Sequence, residues 1–373
     1  MQPSKVYFTD FHVTGSENLL QKLHRLMKTA GFEQLELADR YAAIKIHFGE
    51  LGNLAFLRPN YARVVADYVR ERGGKPFLTD CNTLYVGSRK NALDHLDTAY
   101  LNGFSPLQTG CHVLIADGLK GTDETLVPID LPYVKEAKIG TAIMDADVFI
   151  SLNHFKGHEE AGFGGALKNI GMGCGSRAGK MEQHCDGKPY VDQDACIGCG
   201  ACRRICAHDA PVIRNGKASI DHDRCVGCGR CLAVCPKNAV EPVFQDSVKL
   251  LNYKMAEYAY AVLKDRPSFH VTLICDVSPF CDCHAENDVP IIPDVGMLAS
   301  FDPVALDQAC VELCNKMPVI EGSRLDRHLK AHGAEDPNHE HFHMNHPDAE
   351  WETCLAHAEE IGVGTRAYEL VTI

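Results

Sequence analysis

Cys196-Ile-Gly-Cys199-Gly-Ala-Cys202-Arg-Arg-Ile-Cys206 and Cys225-Val-Gly-Cys228-Gly-Arg-Cys231-Leu-Ala-Val-Cys235-Pro236 each carry the spacing C-x2-C-x2-C-x3-C. Three cysteines, with two residues between each and the next, wrap a loop around one face of an iron–sulfur cubane. Glycines between them let backbone amides approach its sulfides. The fourth cysteine of each run sits on the following helical turn and points at the other cluster. The pattern predicts two 4Fe–4S clusters, one on Cys196, Cys199, Cys202 and Cys235, the other on Cys225, Cys228, Cys231 and Cys206. Zinc would take ligands in two pairs and leave the third and fourth cysteine of each run without a role. Ala207 stands where the second run has Pro236, a difference expected to alter local packing only.

Working outward, the texture of small residues around these runs spans 188–242, with a short Pro211–Ile220 segment between the cysteine groups. On either side the pattern changes. Lys5–Phe8, Ala42–His47, Pro76–Asp80, His112–Ala116, Val148–Asn153 and His270–Cys275 are short apolar or β-branched runs. Helix-like segments near Ser16–Ala30, Pro59–Arg72, Arg89–Leu101, Val248–Leu263 and Pro303–Cys314 alternate with them. Ser16 reads as a plain N-cap, Arg72-Gly73-Gly74 as a helix stop, and Asp302-Pro303 as a cap and first-turn proline. The expected fold is therefore α/β, a mostly parallel sheet with crossover helices in residues 1–187 and 243–373, interrupted by a ferredoxin-like α+β module over 188–242.

The chain has 373 residues, 18 of them cysteine, 45% hydrophobic and 23% charged residues, and a formal charge of −13. No apolar run reaches membrane-spanning length. The start, MQPSKVYFTDF, holds no apolar stretch of signal-peptide length, which points to the cytoplasm and to metal ligation rather than disulfides. The acidic balance argues against a nucleic-acid or anionic-membrane surface. A redox partner such as a ferredoxin or flavoprotein, and a small-molecule ligand, fit better; a homo-oligomer is left open. The histidines of the tail Arg324–Glu359, among them His339, His341, His343 and His346, lack a supporting cysteine and read as a solvated surface loop and helix.

Outside the cysteine runs the most informative stretch is Asn153–Gly175, NHFKGHEEAGFGGALKNIGMGCG. It lies between a strand and a helix, where backbone amides can hold an anion. It matches neither a Walker loop nor G-x-G-x-x-G, and a tight turn with no ligand is the plainer reading. Lys168 falls one turn into the helix, placed for a phosphate or carboxylate. His158 could serve as acid or base, as imidazole side chains commonly do, although a capping histidine is equally common. Asn153, His154, Gly164, Gly165 and Asn169 flank them. Lys45 and His47 end a strand where open α/β sheets collect ligands, and Asp80, Tyr85 and Arg89 end the next. Cys281, Cys283 and His284, with Cys275 nearby, form a second ligand-like group: an extra metal or cofactor site, a redox dithiol, or buried free thiols.

KIHFGELGN (Lys45–Asn53), the glycine-rich stretch, GCGSRAGKMEQH (Gly173–His184), CDCH (Cys281–His284) and PDVGMLASFDPVALDQA (Pro293–Ala309) resemble the domain-of-unknown-function 362 family of iron–sulfur centre proteins. The resemblance covers nearly the whole chain and implies an α/β domain interrupted by a bicluster module, without a settled reaction. A more distant one is sharper. His158, Ala161-Gly162-Phe163, Gly165 and Lys168 fall where the nickel-pincer lactate racemase family has H-x-x-A-G-[FY]-S-G-G-x-K, whose histidine acts as a base and whose lysine tethers the pincer. Gly164 replaces the serine, Ala166 the second glycine, and the family's S-D-x-T-R-P segment is not found. The functional expectation is an iron–sulfur oxidoreductase passing single electrons to a ligand in the α/β domain. The alternatives are a non-catalytic electron carrier or binding protein, and an isomerase related to the racemases.

Overall fold

The computed structural model describes residues 2–84, 87–184, 188–242, 248–332 and 340–373. Tyr85, His339 and both expected junctions of the cysteine module, at 187 and 243, lie outside them.

The strands of the main sheet are β1 (Ser4–Asp10), β2 (Tyr41–Lys45), β3 (Lys75–Asp80), β4 (His112–Ile115), β5 (Val148–His154), β6 (Ser268–Ile274), β7 (Gly296–Ser300) and β8 (Tyr368–Thr372). Their order is β8-β1-β7-β6-β5-β2-β3-β4. Only β7 runs antiparallel to its neighbours; the other pairs are parallel. The α/β reading and the mostly parallel sheet hold. Strands β7 and β8 are additions: β7 lies within the Pro293–Ala309 stretch, and β8 is a short edge strand at the C-terminus.

The main helices are α1 (Leu19–Thr29), α2 (Pro59–Glu71), α3 (Ala92–Leu101), α4 (Ala166–Cys174), α5 (Arg177–His184), α6 (Val248–Leu263), α7 (Pro303–Asn315), α8 (Arg324–His332), α9 (His341–Asn345) and α10 (Trp351–Glu360). They cover both faces of the sheet, as a parallel sheet requires. Alternation along β2 shows how: Ala42 and Ile44 pack toward α1 and α2, while Ala43 faces the core that holds α4, α6 and α7. Helix α1 starts later than Ser16 suggested. Asn18 is its cap, accepting from the Leu20 and Gln21 amides at 3.0 Å, while Gln21 accepts back from the Asn18 amide at 2.9 Å. The predicted helix at Arg89 likewise begins only after the Asn91 cap, which frees Arg89 for the interior.

Residues 188–242 fold as two matching halves, each a strand, a cysteine loop, a short helix and a strand. Pro189–Val191 pairs antiparallel with Val240–Pro242, and Pro211–Arg214 with Lys217–Ile220. A small core of Val191, Ala218, Leu232, Ala239 and Val240 joins Cys196 and Cys202, and Leu84 and Met181 of the larger domain pack into it. Among the described residues no helix is long and apolar enough to cross a membrane.

The histidine-rich tail corrects its sequence reading. His341 and His346 are buried, and the latter's Nε2 lies 2.7 Å from the Pro279 carbonyl. Interleaved Phe342, Trp351 and Leu355 supply an apolar face that carries the histidines inward with it. Phe342 meets Phe155 edge to face at 5.5 Å beneath the hairpin 156–164. Phe342→Ala is expected to cost about 3–5 kcal/mol, read as a lower urea midpoint with unchanged slope; a solvated tail would lose almost nothing.

Candidate functional site

Strands β2, β3 and β5 end at the same edge of the sheet, at Lys45, Asp80 and His154. From β2 the chain moves outward to β3 and β4; from β5 it moves the other way, to β6. The crevice between β2 and β5 is thus a topological switch point, where open α/β sheets bind ligands. A cavity of about 60 Å³ lies there. Five cations line it, Lys45, Arg89, Lys156, Lys168 and Lys180, with Asp80 among them.

Buried charge at this density needs counter-charge, and each cation has a named one or a carbonyl. Lys45 Nζ lies 3.0 Å from Asp80 Oδ1 and donates to Asn169 Oδ1 at 2.8 Å. Arg89 Nε lies 3.0 Å from Glu50 Oε2 and its Nη1 faces His47 Nε2 at 3.1 Å. Lys156 Nζ is 3.2 Å from Asp282 Oδ2, and Lys180 Nζ donates to the Gly175 carbonyl at 2.6 Å. Burial alone would raise the Asp80 carboxyl, but the cations beside it, Lys45 foremost, outweigh burial and hold it well below the usual carboxylate range. His47 is kept well below its ordinary value by burial and by Arg89, and burial lowers His95 to about 3. Arg89 Nη2 has no hydrogen-bond partner among the described residues.

Helix α4 carries Lys168 and Asn169, and its glycines explain the stretch that dominated the sequence. The amides at its N-terminus do not wait for a ligand anion. Asp307 of α7 takes them, accepting from Ala166 at 2.7 Å and Leu167 at 2.9 Å. Burial pushes this carboxyl up to about 7. A side chain at Gly165 would meet the Asp307 carboxylate at 2.3 Å, and one at Gly173 would meet the Lys45 ammonium at 2.6 Å. The glycines therefore admit the protein's own charged side chains.

Opposite α4 stands Cys281-Asp282-Cys283-His284. Lys168 Nζ donates to Cys281 Sγ at 3.2 Å. Burial opposes the charge on Lys168, but the Cys281 and Cys283 sulfurs outweigh it and raise its pKa. Hydrogen bonds from Cys283 and His158, together with Lys168, pull Cys281 well below the usual thiol range. His158 Nδ1 accepts from the Glu160 and Ala161 amides at 3.1 and 3.0 Å, so its ring proton sits on Nε2. His284 turns outward to Glu159, 3.2 Å away. Asp282 points inward, to His154 at 2.9 Å.

In the module, Cys196, Cys199, Cys202 and Cys235 line one hollow together. Burial, with the nearby Cys228 and Cys206 sulfurs, raises the Cys225 thiol, and burial with Cys228, Cys225 and Cys202 nearby raises that of Cys231. Gly198, Gly200, Gly227 and Gly229 all take left-handed φ between 64° and 73°, the conformation that turns the loops around each hollow. Amides donate to sulfur at Cys196, from Gly198 and Ala218 at 3.4 and 3.3 Å, and at Cys235, from Ala239 at 3.2 Å.

Of the residues singled out by sequence, Lys45, His47, Gly164, Gly165, Lys168, Asn169 and Cys283 line the cavity. His158 and Cys281 stand beside it. Asn153 and His154 support the wall: the Asn153 amide is spent on Val271 and Ser151, and both His154 nitrogens face acceptors, Asp282 and the Cys275 carbonyl. Lys156, Lys180 and Glu50 were missed. All three lie inside stretches quoted for other residues, but a lone charge carries no sign of burial in a sequence.

The model of the family called domain of unknown function, DUF362, matches residues 42–312. A thylakoid-associated protein of Synechocystis sp. is 29% identical over 123 residues, 33% of this chain and 34% of its own length; the chain thus spans about a third of that relative. Lactate racemase apoprotein from Thermoanaerobacterium thermosaccharolyticum gives a TM-score of 0.40 at 12% identity, over 73% of this chain and 51% of that one. A Thermotoga maritima protein gives 0.39 at 14%, over 81% and 60%. Likeness this slight carries no argument about activity.

The buried groups predict the acid limb of stability. His47 and His95 titrate lower in the folded chain than unfolded, so between about pH 6.5 and their folded values the unfolded state binds more protons and stability falls as pH falls. Asp80 and Asp282, held low, add a further loss only below about pH 4. Asp307 and Asp117, raised to about 7 and about 6, oppose that slope, but His184 and His270, lowered to about 3 by burial, reinforce it, so urea midpoints should still drop from pH 7 to 4. His95→Gln is expected to flatten that slope by about 1–3 kcal/mol over the interval, whereas equal slopes would place the titration elsewhere.

Proposed function

This chain belongs to the DUF362 family, and on the geometry of its cysteines and its cavity we propose that it is an iron–sulfur oxidoreductase. In this reading residues 188–242 form a module with two 4Fe–4S clusters, which exchanges single electrons with a ligand in the cationic cavity. The observation that carries it is the crosswise gathering of the two runs, with Cys235 joining Cys196, Cys199 and Cys202 around one hollow and Cys206 beside Cys225. The donor set fits: sulfur-only ligands, left-handed glycines and amides aimed at sulfur are what a cubane uses. Among the described residues no three His, Cys, Asp or Glu side chains close on a single-ion point. Zinc would draw four sulfurs to about 2.3 Å from one centre, whereas a cubane spreads them over four irons. When bound, the clusters supply one-electron reduction and oxidation.

The chain's own residues set the ligand. Lys45, Lys156, Lys168 and Lys180 favour a small anion, a carboxylate or phosphate, and the unpartnered Arg89 Nη2 can add a directed hydrogen bond. His158, protonated on Nε2, can move a proton at the cavity edge. Cavity and module share the loop that ends at Lys90: Leu84 packs in the module core, Arg89 lines the cavity and Lys90 Nζ reaches Asn238 Oδ1 at 2.6 Å. A ferredoxin or flavoprotein is the fitting electron donor for clusters of this kind.

Anoxically purified protein is expected to be brown, with about eight irons per chain, falling to roughly four in Cys231→Ser. Colourless or zinc-loaded material overturns the reading. In reduced protein, Lys168→Ala and His158→Ala should keep the iron and lose cluster reoxidation by small anionic oxidants. Unchanged reoxidation in both would make the chain a carrier whose α/β domain only docks a partner.

A further inference from the structure

Cys283 lines two cavities at once, the inner cationic one and an outer one of about 680 Å³ bordered by Glu50, Ser88, His158, Glu159 and His284. Its neighbour Asp282 is anchored inward by His154 and Lys156 and is fully buried. With Asp282 pinned there, Cys281 against Lys168 and Cys283 in the wall of both cavities are close enough for each sulfur to act on the other's charge. The Lys168 ammonium occupies the space beside Cys281 Sγ that a metal ion would need, and His284 is drawn off to Glu159. A cation against one sulfur, a second sulfur two residues along in the same wall and an opening to the outside together describe a thiol pair built for exchange.

We propose that Cys281 and Cys283 form a reversible dithiol–disulfide couple, the two-electron partner of the two one-electron clusters. The proposal rests on the iron–sulfur reading for its electron acceptors. Starting from the Cys281 thiolate and the Cys283 thiol, the Sγ–Sγ bond forms and the Cys283 S–H bond breaks. Its proton leaves to water in the outer cavity, and the two electrons pass one to each cluster. Reduction reverses every step, taking two electrons and one proton. The separation is short in the chain: Arg89 lies in the field of Cys283, and the next residue, Lys90, in that of Cys235. The couple would let a protein with single-electron clusters deliver a pair of electrons to an anion held by Lys45 and Lys168.

The test uses full-length anoxic protein equilibrated across ratios of oxidised to reduced dithiothreitol, quenched in acid, alkylated and mapped by peptide mass. Cluster absorbance and iron are read on the same samples. The expected result is a reversible loss of two hydrogens on the peptide holding Cys281 and Cys283, in a two-electron transition. Adding dithionite-reduced protein, freed of excess dithionite, to the disulfide form should restore the absorbance of oxidised clusters in step with disulfide opening. In Cys283→Ser, Cys281 should alkylate several-fold faster than in Cys283→Ser with Lys168→Met. Full alkylation of both cysteines at every ratio, or a disulfide to any third cysteine, overturns the couple whatever the iron content. Iron content alone reports on the cluster reading, so the two failures are distinguishable.

Discussion

Among the described residues five cationic side chains converge on one edge of a mostly parallel sheet, and keeping them inside the protein is the constraint on which the rest depends. An uncompensated buried charge costs several kcal/mol, and removing one partner of a buried pair costs about 3–5 kcal/mol. Asp80, Glu50 and Asp282 supply the compensation, yet they come from three different segments: the end of β3, the loop after β2 and the segment after β6. The sheet order is thus tied to charge pairing as well as to apolar packing, because only adjacency of β2, β3, β5 and β6 brings these segments to one place.

The same economy of partners shapes α4. Asp307 satisfies the amides that head this helix, and the glycines at 165 and 173 clear room for Asp307 and Lys45. A helix N-terminus usually attracts an external anion; here an internal carboxylate has taken that place, and attraction for a ligand shifts to the side-chain ammonium groups one turn along. That displacement matters chemically. Ammonium groups on flexible stems can follow a ligand whose charge changes, whereas backbone amides at a helix end are fixed.

The cysteine module and the cavity meet through few residues, chiefly Leu84, Arg89, Lys90, Met181 and Arg177, whose side chain closes over Gly229. Arg89 is paired with Glu50 and Asp80 on one side and lies in the field of Cys283 on another. A change of charge at the cysteine pair would therefore be felt by this guanidinium, and one at Cys235 of the module by its chain neighbour Lys90. This is local electrostatics, with no moving part required.

How much of this was legible beforehand differs by kind of signal. The cysteine spacing, the strand–helix alternation and the glycine-rich stretch are local patterns. Lys45, Lys168, Cys281 and Cys283 could be picked out because motifs surround them. Glu50, Lys156 and Lys180 could not, since a charged residue announces burial only through its partner, and the partners lie far along the chain. The tail shows the reverse error: His341 and His346 looked solvated because histidine is polar, and Phe342 and Trp351 draw them inside. By itself, then, the sequence determined the elements and where its cysteines and glycines cluster, because periodicity and spacing act between near neighbours. Only the tertiary structure decided which charges meet, that Asp307 and not a ligand caps α4, and that two cysteines face Lys168 and His158, because each of those contacts joins segments that sequence distance keeps apart.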